Sequence, residues 1–209
     1  MHSIVVIGGG GHAKVLISVL KKSGLVIAGY TDWEDRGAIL GVPYLGNDSM
    51  LTSIRENLPD CGAVIGIGKI DASRRRLALQ NEIAALGFKF PVIVSPRAVL
   101  NEAVLLGAGT VLFDGVAVNS GAEIGAACIL NTNSTVEHDC RLGDNVHIAP
   151  GVTLSGGVTI GDHTMIGAGA TVIQSVSICE GCRIGAGSTV INGITVPGTY
   201  VGSPAKIIR

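Results

Sequence analysis

Leu142-Gly-Asp-Asn-Val-His147, Ile148-Ala-Pro-Gly-Val-Thr153, Leu154-Ser-Gly-Gly-Val-Thr159, Ile160-Gly-Asp-His-Thr-Met165, Ile166-Gly-Ala-Gly-Ala-Thr171. Each block of six opens on an aliphatic residue and carries a small or β-branched one at its fifth place. The frame extends outward without gap or insertion from Val94 to Val190, and every first place holds Val, Ile or Leu. A period of six fits neither a helix face at about 3.6 nor an alternating strand at about 2.0. It fits a chain that makes a short strand, turns and repeats, which is the signature of a parallel β-helix. Three hexads close one triangular coil, and coils stack at the strand spacing of about 4.8 Å. The first-place residues point into the prism and the fifth-place residues pack beside them near the corner. Gly is frequent at the second place, as at Gly107, Gly125, Gly143, Gly161, Gly167 and Gly185, where it is expected to supply the backbone freedom of a corner. Residues 94–195 are expected to hold between five and six coils, with the first place of every hexad buried.

Upstream the pattern changes to alternating strands and helices. Ser3 to Ile7 reads as a strand, Lys14 to Lys22 as a helix ended by Gly24, and Val26 to Tyr30 as a second strand. Leu40 to Leu45 reads as a short extended piece, Ser49 to Glu56 as a helix, Cys61 to Ile67 as a third strand, Asp71 to Leu86 as a helix, and Phe88 to Val94 as a fourth strand. This is βαβ alternation with a parallel sheet. The fold class is therefore a small Rossmann-like α/β domain, residues 1–93, followed by a parallel β-helix with a C-terminal tail, residues 94–209. Between the first strand and helix, Gly8, Gly10 and Ala13 satisfy G-x-G-x-x-[G/A], and Asp32 follows about twenty residues on. Close backbone approach and helix N-terminal amides there make a phosphate site. One half of a dinucleotide fold suits one nucleoside diphosphate rather than NAD.

Composition narrows the function classes. The formal net charge is −1, which leaves no electrostatic footprint for nucleic acid. No apolar run reaches a membrane span of about 18 residues, and no signal peptide is expected, because the apolar run Ile4 to Ile7 ends in four glycines. Of five cysteines, Cys128, Cys140 and Cys182 fall on inward fifth places and read as core, so the expected setting is a reducing cytoplasm. Cys140 is therefore a poor nucleophile. His138, at a third place, points outward with Asp139 beside it to fix its tautomer. His138, His147 and His163 fall on the third, sixth and fourth places, so no shared metal ion is expected.

On Gly8 to His12, the unbroken hexads, Asn131 through Cys140, His147-Ile-Ala-Pro-Gly151 and Val201-Gly-Ser-Pro-Ala-Lys206, the chain resembles the bacterial left-handed β-helix nucleotide-sugar acetyltransferases. These include UDP-4-amino-sugar N-acetyltransferases and sialic acid O-acetyltransferases. The resemblance implies the left hand of the coil and a homotrimer with active sites between neighbouring solenoids. It implies acetyl-CoA as cosubstrate, without a metal, and a nucleotide-sugar acceptor. His138 takes the place of the catalytic base and Asp139 that of the carboxylate after it. Asn131 matches an Asn of the same motif, and Gly156 offers an N–H to the thioester oxygen. His147, Ala168 and Ala186 match coenzyme A-lining positions, and Gly10, His12 and Asp32 the nucleotide-sugar site. N-acetylation of a UDP-linked 4-amino-sugar is the leading expectation. O-acetylation of a sialic acid is the alternative, and a metal-dependent hydratase or a non-catalytic scaffold the alternative of another class.

Overall fold

A computed structural model describes residues 3–208. The N-terminal unit holds three parallel strands, β1 (Ser3–Ile7), β2 (Ile27–Thr31) and β3 (Cys61–Ile65), in the order β2-β1-β3. Helix α1 (Gly11–Lys22) buries Ala13, Leu16, Ile17, Val19 and Leu20, a spacing of three and four that sets one apolar stripe against the sheet. Helices α2 (Leu51–Asn57) and α3 (Arg75–Ala85) complete the unit.

Two expectations are corrected here. The fourth strand does not form. Lys89 makes a single bridge to Gly62, and Phe90 gives its carbonyl to Gly109 N–H of the solenoid. Pro91 then has no N–H for a ladder, and Ile93–Val94 pairs inside the β-helix. Helix α3 starts at Arg75 rather than Asp71. The Asp71 carboxylate holds the Ser73 N–H in a turn at 2.9 Å, an alternative to the helix ladder that Asp readily offers.

From Ile93 the chain winds as a parallel β-helix whose two-residue strands occupy the sixth and first places of the hexads. The first face carries Ile93–Val94, Val111–Leu112, Ile129–Leu130, His147–Ile148, Met165–Ile166 and Arg183–Ile184. The second face runs from Val99–Leu100 to Thr189–Val190, and the third from Leu105–Leu106 to Ser177–Ile178. Strands eighteen residues apart pair in register, as in Leu130↔Ile148 and Val136↔Leu154. Leu112, Leu130, Ile148 and Ile166 are fully buried, as the hexad frame requires. Leu100, in contrast, is 36% exposed, because the first coil has no coil beneath it.

The second-place glycines serve a purpose other than the one expected. Left-handed backbone occurs at the fourth place, at Gly151 and Gly157 but also at Asn133, Asp139, Asn145 and His163. At the second place the problem is space. A β-carbon on Gly125 would lie 2.6 Å from the backbone carbon of Gly143 in the next coil.

The N-terminal unit is seated on the first face. Ile93, Val111 and Ile129 turn outward there and join one core with Val6, Leu16, Leu20, Val64 and Phe113. Flanking bonds hold its edges: Lys22 to Asp114 at 2.5 Å, Gln80 to Ala108 O at 3.1 Å, and Asn145 to Ser73 O at 3.0 Å. Buried Arg76 binds Ile67 O and, across the junction, Ala127 O.

Candidate active site

The first cluster sits at the carboxyl ends of β1 and β2. Gly8 to Gly11, His12, Asp32, Trp33, Asp48, Gly66 to Gly68 and Arg75 line a cleft of about 600 Å³. Helix α1 begins at Gly11, so its free amides face this cleft, as a phosphate site requires. At Gly10 a β-carbon would meet nothing within 4 Å, which leaves open space against the backbone. Asp32 is fixed from two sides, Oδ2 by Gly9 N–H at 2.6 Å and Oδ1 by Glu34 N–H at 3.2 Å. His12 lies edge-on to Phe113 of the solenoid, with ring centroids 5.3 Å apart. Burial, and then the charges of Arg76 and His147, lower its pKa to about 3, so it is neutral at pH 7. Its Nε2 is buried without a hydrogen-bond partner.

The second cluster lies on the first face beneath that cleft. His147 is only 7% exposed. Its Nδ1 is 2.6 Å from Lys69 O, so Nδ1–H donates and Nε2 is left as an acceptor, 3.4 Å from Asn131 Nδ2. Burial lowers His147 to about 4 against the opposing effect of the Lys69 bond. Asn131 is oriented by its own Oδ1, which accepts Thr132 N–H at 2.9 Å. Ala168 and Ala186 are exposed at third places eighteen residues apart, stacked on the corner that joins the first and second faces.

The third cluster is on another corner, where the second face turns into the third. His138 and Gly156 are one coil apart at the same hexad place. A β-carbon on Gly156 would lie 2.5 Å from His138 Nε2, so only glycine admits the ring there. His138 Nδ1 is 2.8 Å from Asp139 Oδ2. A proton shared with that carboxylate puts the Nε2 lone pair on the side of Gly156. On the corner between the third and first faces, third-place amides donate to the third-place side chain of the following coil, Ala126 N–H to Asp144 at 2.7 Å and Asp144 N–H to Asp162 at 2.8 Å. On the corner of His138 the residue one coil beyond Gly156 is Gln174. Among the described residues no such bond forms there and the Gly156 N–H makes no hydrogen bond, so a donor stands free next to a base. Cys140, two residues on, is buried, and burial raises its pKa.

Within one chain these clusters stay apart. The corner of His138 lies opposite the face on which the N-terminal unit is seated, and Asn131 joins His147 rather than His138. Among the described residues no group of three or more His, Cys, Asp or Glu is placed to hold a metal, and no helix is long and apolar enough to cross a membrane. Sequence reasoning passed over Trp33, Asp48 and Arg75 in the cleft. The first two flank or face Asp32, and Trp33 is the only tryptophan of the chain.

Residues 3–81 match the family described as the PglD N-terminal domain. Residues 121–156 and 157–192 match the bacterial transferase hexapeptide (six repeats). Comparison with curated proteins gives no match. A variant of GDP-perosamine N-acetyltransferase from Caulobacter crescentus, solved with CoA and GDP-perosamine, is 37% identical. The similarity covers 99% of this chain and 97% of that one at a TM-score of 0.94. The acetyltransferase domain of PglB from Neisseria gonorrhoeae is 33% identical over the whole of both chains, at a TM-score of 0.91, and it has also been solved with acetyl coenzyme A. WeeI from Acinetobacter baumannii is 28% identical over 98% of this chain and 99% of its own, at a TM-score of 0.87.

Proposed function

Because the chain belongs to the left-handed β-helix nucleotide-sugar acetyltransferases, we propose that it moves the acetyl group of acetyl-CoA to the amine of a nucleotide-linked 4-amino-sugar. The observation that carries this reading is the pairing of a glycine-lined cleft at a helix N-terminus with a free imidazole-and-amide pair, on a chain superimposable along its length on an N-acetyltransferase. The UDP-sugar expected from the resemblance and the GDP-sugar bound by that neighbour share the diphosphate, and the glycine turn with the amides of α1 addresses this shared part.

In this mechanism the sugar amine attacks the thioester carbonyl directly. His138 Nε2 takes the amine proton, with Nδ1–H held by Asp139. The Gly156 N–H donates to the oxyanion of the tetrahedral intermediate. That intermediate collapses with loss of the coenzyme A thiolate, which takes up a proton, so no acyl-enzyme forms. Cys140 is too buried to carry one.

The separation of the clusters supports a site shared between subunits. The nucleotide cleft, Asn131 and His147 belong to one protomer, and His138, Asp139 and Gly156 to its neighbour. Ala168 and Ala186 border the coenzyme in the same cleft between solenoids. A closed ring of three satisfies this arrangement with one interface type. The test is coenzyme A release, read as free thiol, with a panel of nucleotide-linked amino-sugars. Release with a 4-amino-sugar nucleotide, and none with its 4-hydroxy counterpart, is expected. Equal release with both, or with a free sialic acid alone, contradicts the proposal.

A further inference from the structure

Trp33 is 89% exposed, an unusual position for the largest apolar side chain unless something flat covers it. It stands on the rim of the nucleotide cleft, directly after the carboxyl end of β2. Also lining the cleft, Asp48 has one carboxylate oxygen engaged, since Oδ1 accepts the hydroxyl of buried Thr31 at 2.7 Å. Its other oxygen makes no hydrogen bond among the described residues. Asp32 differs, with both oxygens taken by backbone amides. An indole face at the rim and a fixed carboxylate with a free oxygen thus border the same cleft. The diphosphate end of that cleft is set by the glycine turn, and His12 Nε2, buried and unpartnered, belongs to its wall.

We propose that Trp33 and Asp48 form the nucleobase subsite and select guanine. This rests on the nucleotide-sugar reading given above. Stacking on an aromatic face is tolerant of sequence, because every base has a π-face, but a bicyclic purine covers more of the indole than a pyrimidine does. The carboxylate then discriminates by its edge. Guanine presents two adjacent donors, N1–H and the N2 amine, one for the free Oδ2 and one for the lone pair that Thr31 leaves on Oδ1. Uracil presents one N–H between two carbonyl oxygens, which repel the carboxylate. Adenine turns a ring-nitrogen acceptor towards it. A site built to pair a donor discriminates strongly against a ligand that leaves its polar group unpaired.

Trp33 as the sole tryptophan makes the full chain its own reporter. Indole fluorescence is titrated with GDP, UDP, CDP and ADP, and the affinities are checked by calorimetry. GDP is expected to quench the emission and to bind about tenfold or more tighter than the other three. Trp33→Ala is expected to weaken GDP by roughly 5- to 150-fold in calorimetry, and Trp33→Phe to restore most of it. Asp48→Asn is expected to remove the preference for GDP over UDP. Both side chains are exposed, so unchanged thermal melting confirms that the variants fold. UDP, CDP or ADP binding as tightly as GDP overturns the assignment while leaving the acetyltransferase reading intact, and so does Trp33→Ala with unchanged GDP affinity. Failure of all four nucleotides to bind overturns the nucleotide-sugar reading itself.

Discussion

His138 and Gly156 define each other. The imidazole occupies the volume that a β-carbon on Gly156 would need, and among the described residues the same glycine leaves its amide unpaired. Two consequences can be measured separately. His138→Ala is expected to lower kcat by roughly 10²–10⁴-fold, the contribution of a general base, with acetyl-CoA affinity near wild type. Gly156→Ala is expected to lower kcat as well, through displacement of the ring, in a protein that still melts cooperatively; wild-type kcat in that variant would mean the ring has another seat. Asp139 adds a local feature. It occupies left-handed backbone at φ 59, which Asp tolerates better than most residues, and from there its carboxylate turns back onto the preceding imidazole.

The two buried histidines give the residue scale a pH signature. Burial holds His12 near 3 and His147 near 4, both below the ordinary 6.5. Between those values and 6.5 the unfolded chain binds protons that the folded chain refuses. Their contribution to stability is thus complete above pH 6.5 and declines as the pH falls towards 4 and then 3. Thermal midpoints are expected to drop through that window, and His147→Gln to drop less steeply. A midpoint that is flat from pH 6.5 to 4 in the wild type would contradict the buried neutral state.

At the scale of the elements, the solenoid was legible and the N-terminal unit only partly so. The hexads specify strand, corner and core together, since first-place burial repeats every coil. Leu130→Ala is expected to cost about 2–5 kcal/mol, the range for a fully buried Leu, and chemical denaturation measures it; a loss below 1 kcal/mol would mean the prism collapses around the missing side chain. Helix α3 and the absent fourth strand were misread for reasons that periodicity does not carry. Asp71 and Pro91 act through single hydrogen bonds, one made and one impossible. Arg76 resembled its solvent-facing neighbours in charge, yet it is buried among carbonyls at the junction. One signal was open to reading: the sixth places of the first face begin Ile93, Val111 and Ile129 before passing to His147, Met165 and Arg183, whereas those of the second begin Val99 and Ala117 and then run Thr135, Thr153, Thr171 and Thr189. The first face alone carries three large aliphatic residues in succession on its outside, and that is the stretch the N-terminal unit covers.

At the scale of the whole molecule, the proposed mechanism has the chain carry the parts of one active site in two places. The eighteen-residue spacings put His138 with Gly156 and Ala168 with Ala186, and the thirty residues from His138 to Ala168, five hexads where three make a coil, assign the two pairs to different corners. What the sequence left open was which corner the nucleotide cleft would approach, because that depends on the seating of the first face. Seated there, the cleft stands above His147 and on the far side of the prism from His138. No protomer is therefore expected to complete its own site.

Complementation between two inactive protomers tests this requirement most directly. Gly10→Val blocks backbone approach to the diphosphate and leaves His138 intact, whereas His138→Ala leaves the cleft intact. Each variant alone is expected to be inactive or nearly so. Co-expressed in equal amounts with distinct tags and isolated as mixed assemblies, they are expected to recover up to about a third of wild-type kcat, because every mixed closed ring of three unites an intact cleft with an intact neighbouring His138 at one of its three interfaces. Mixed assemblies no more active than either parent would contradict the shared site.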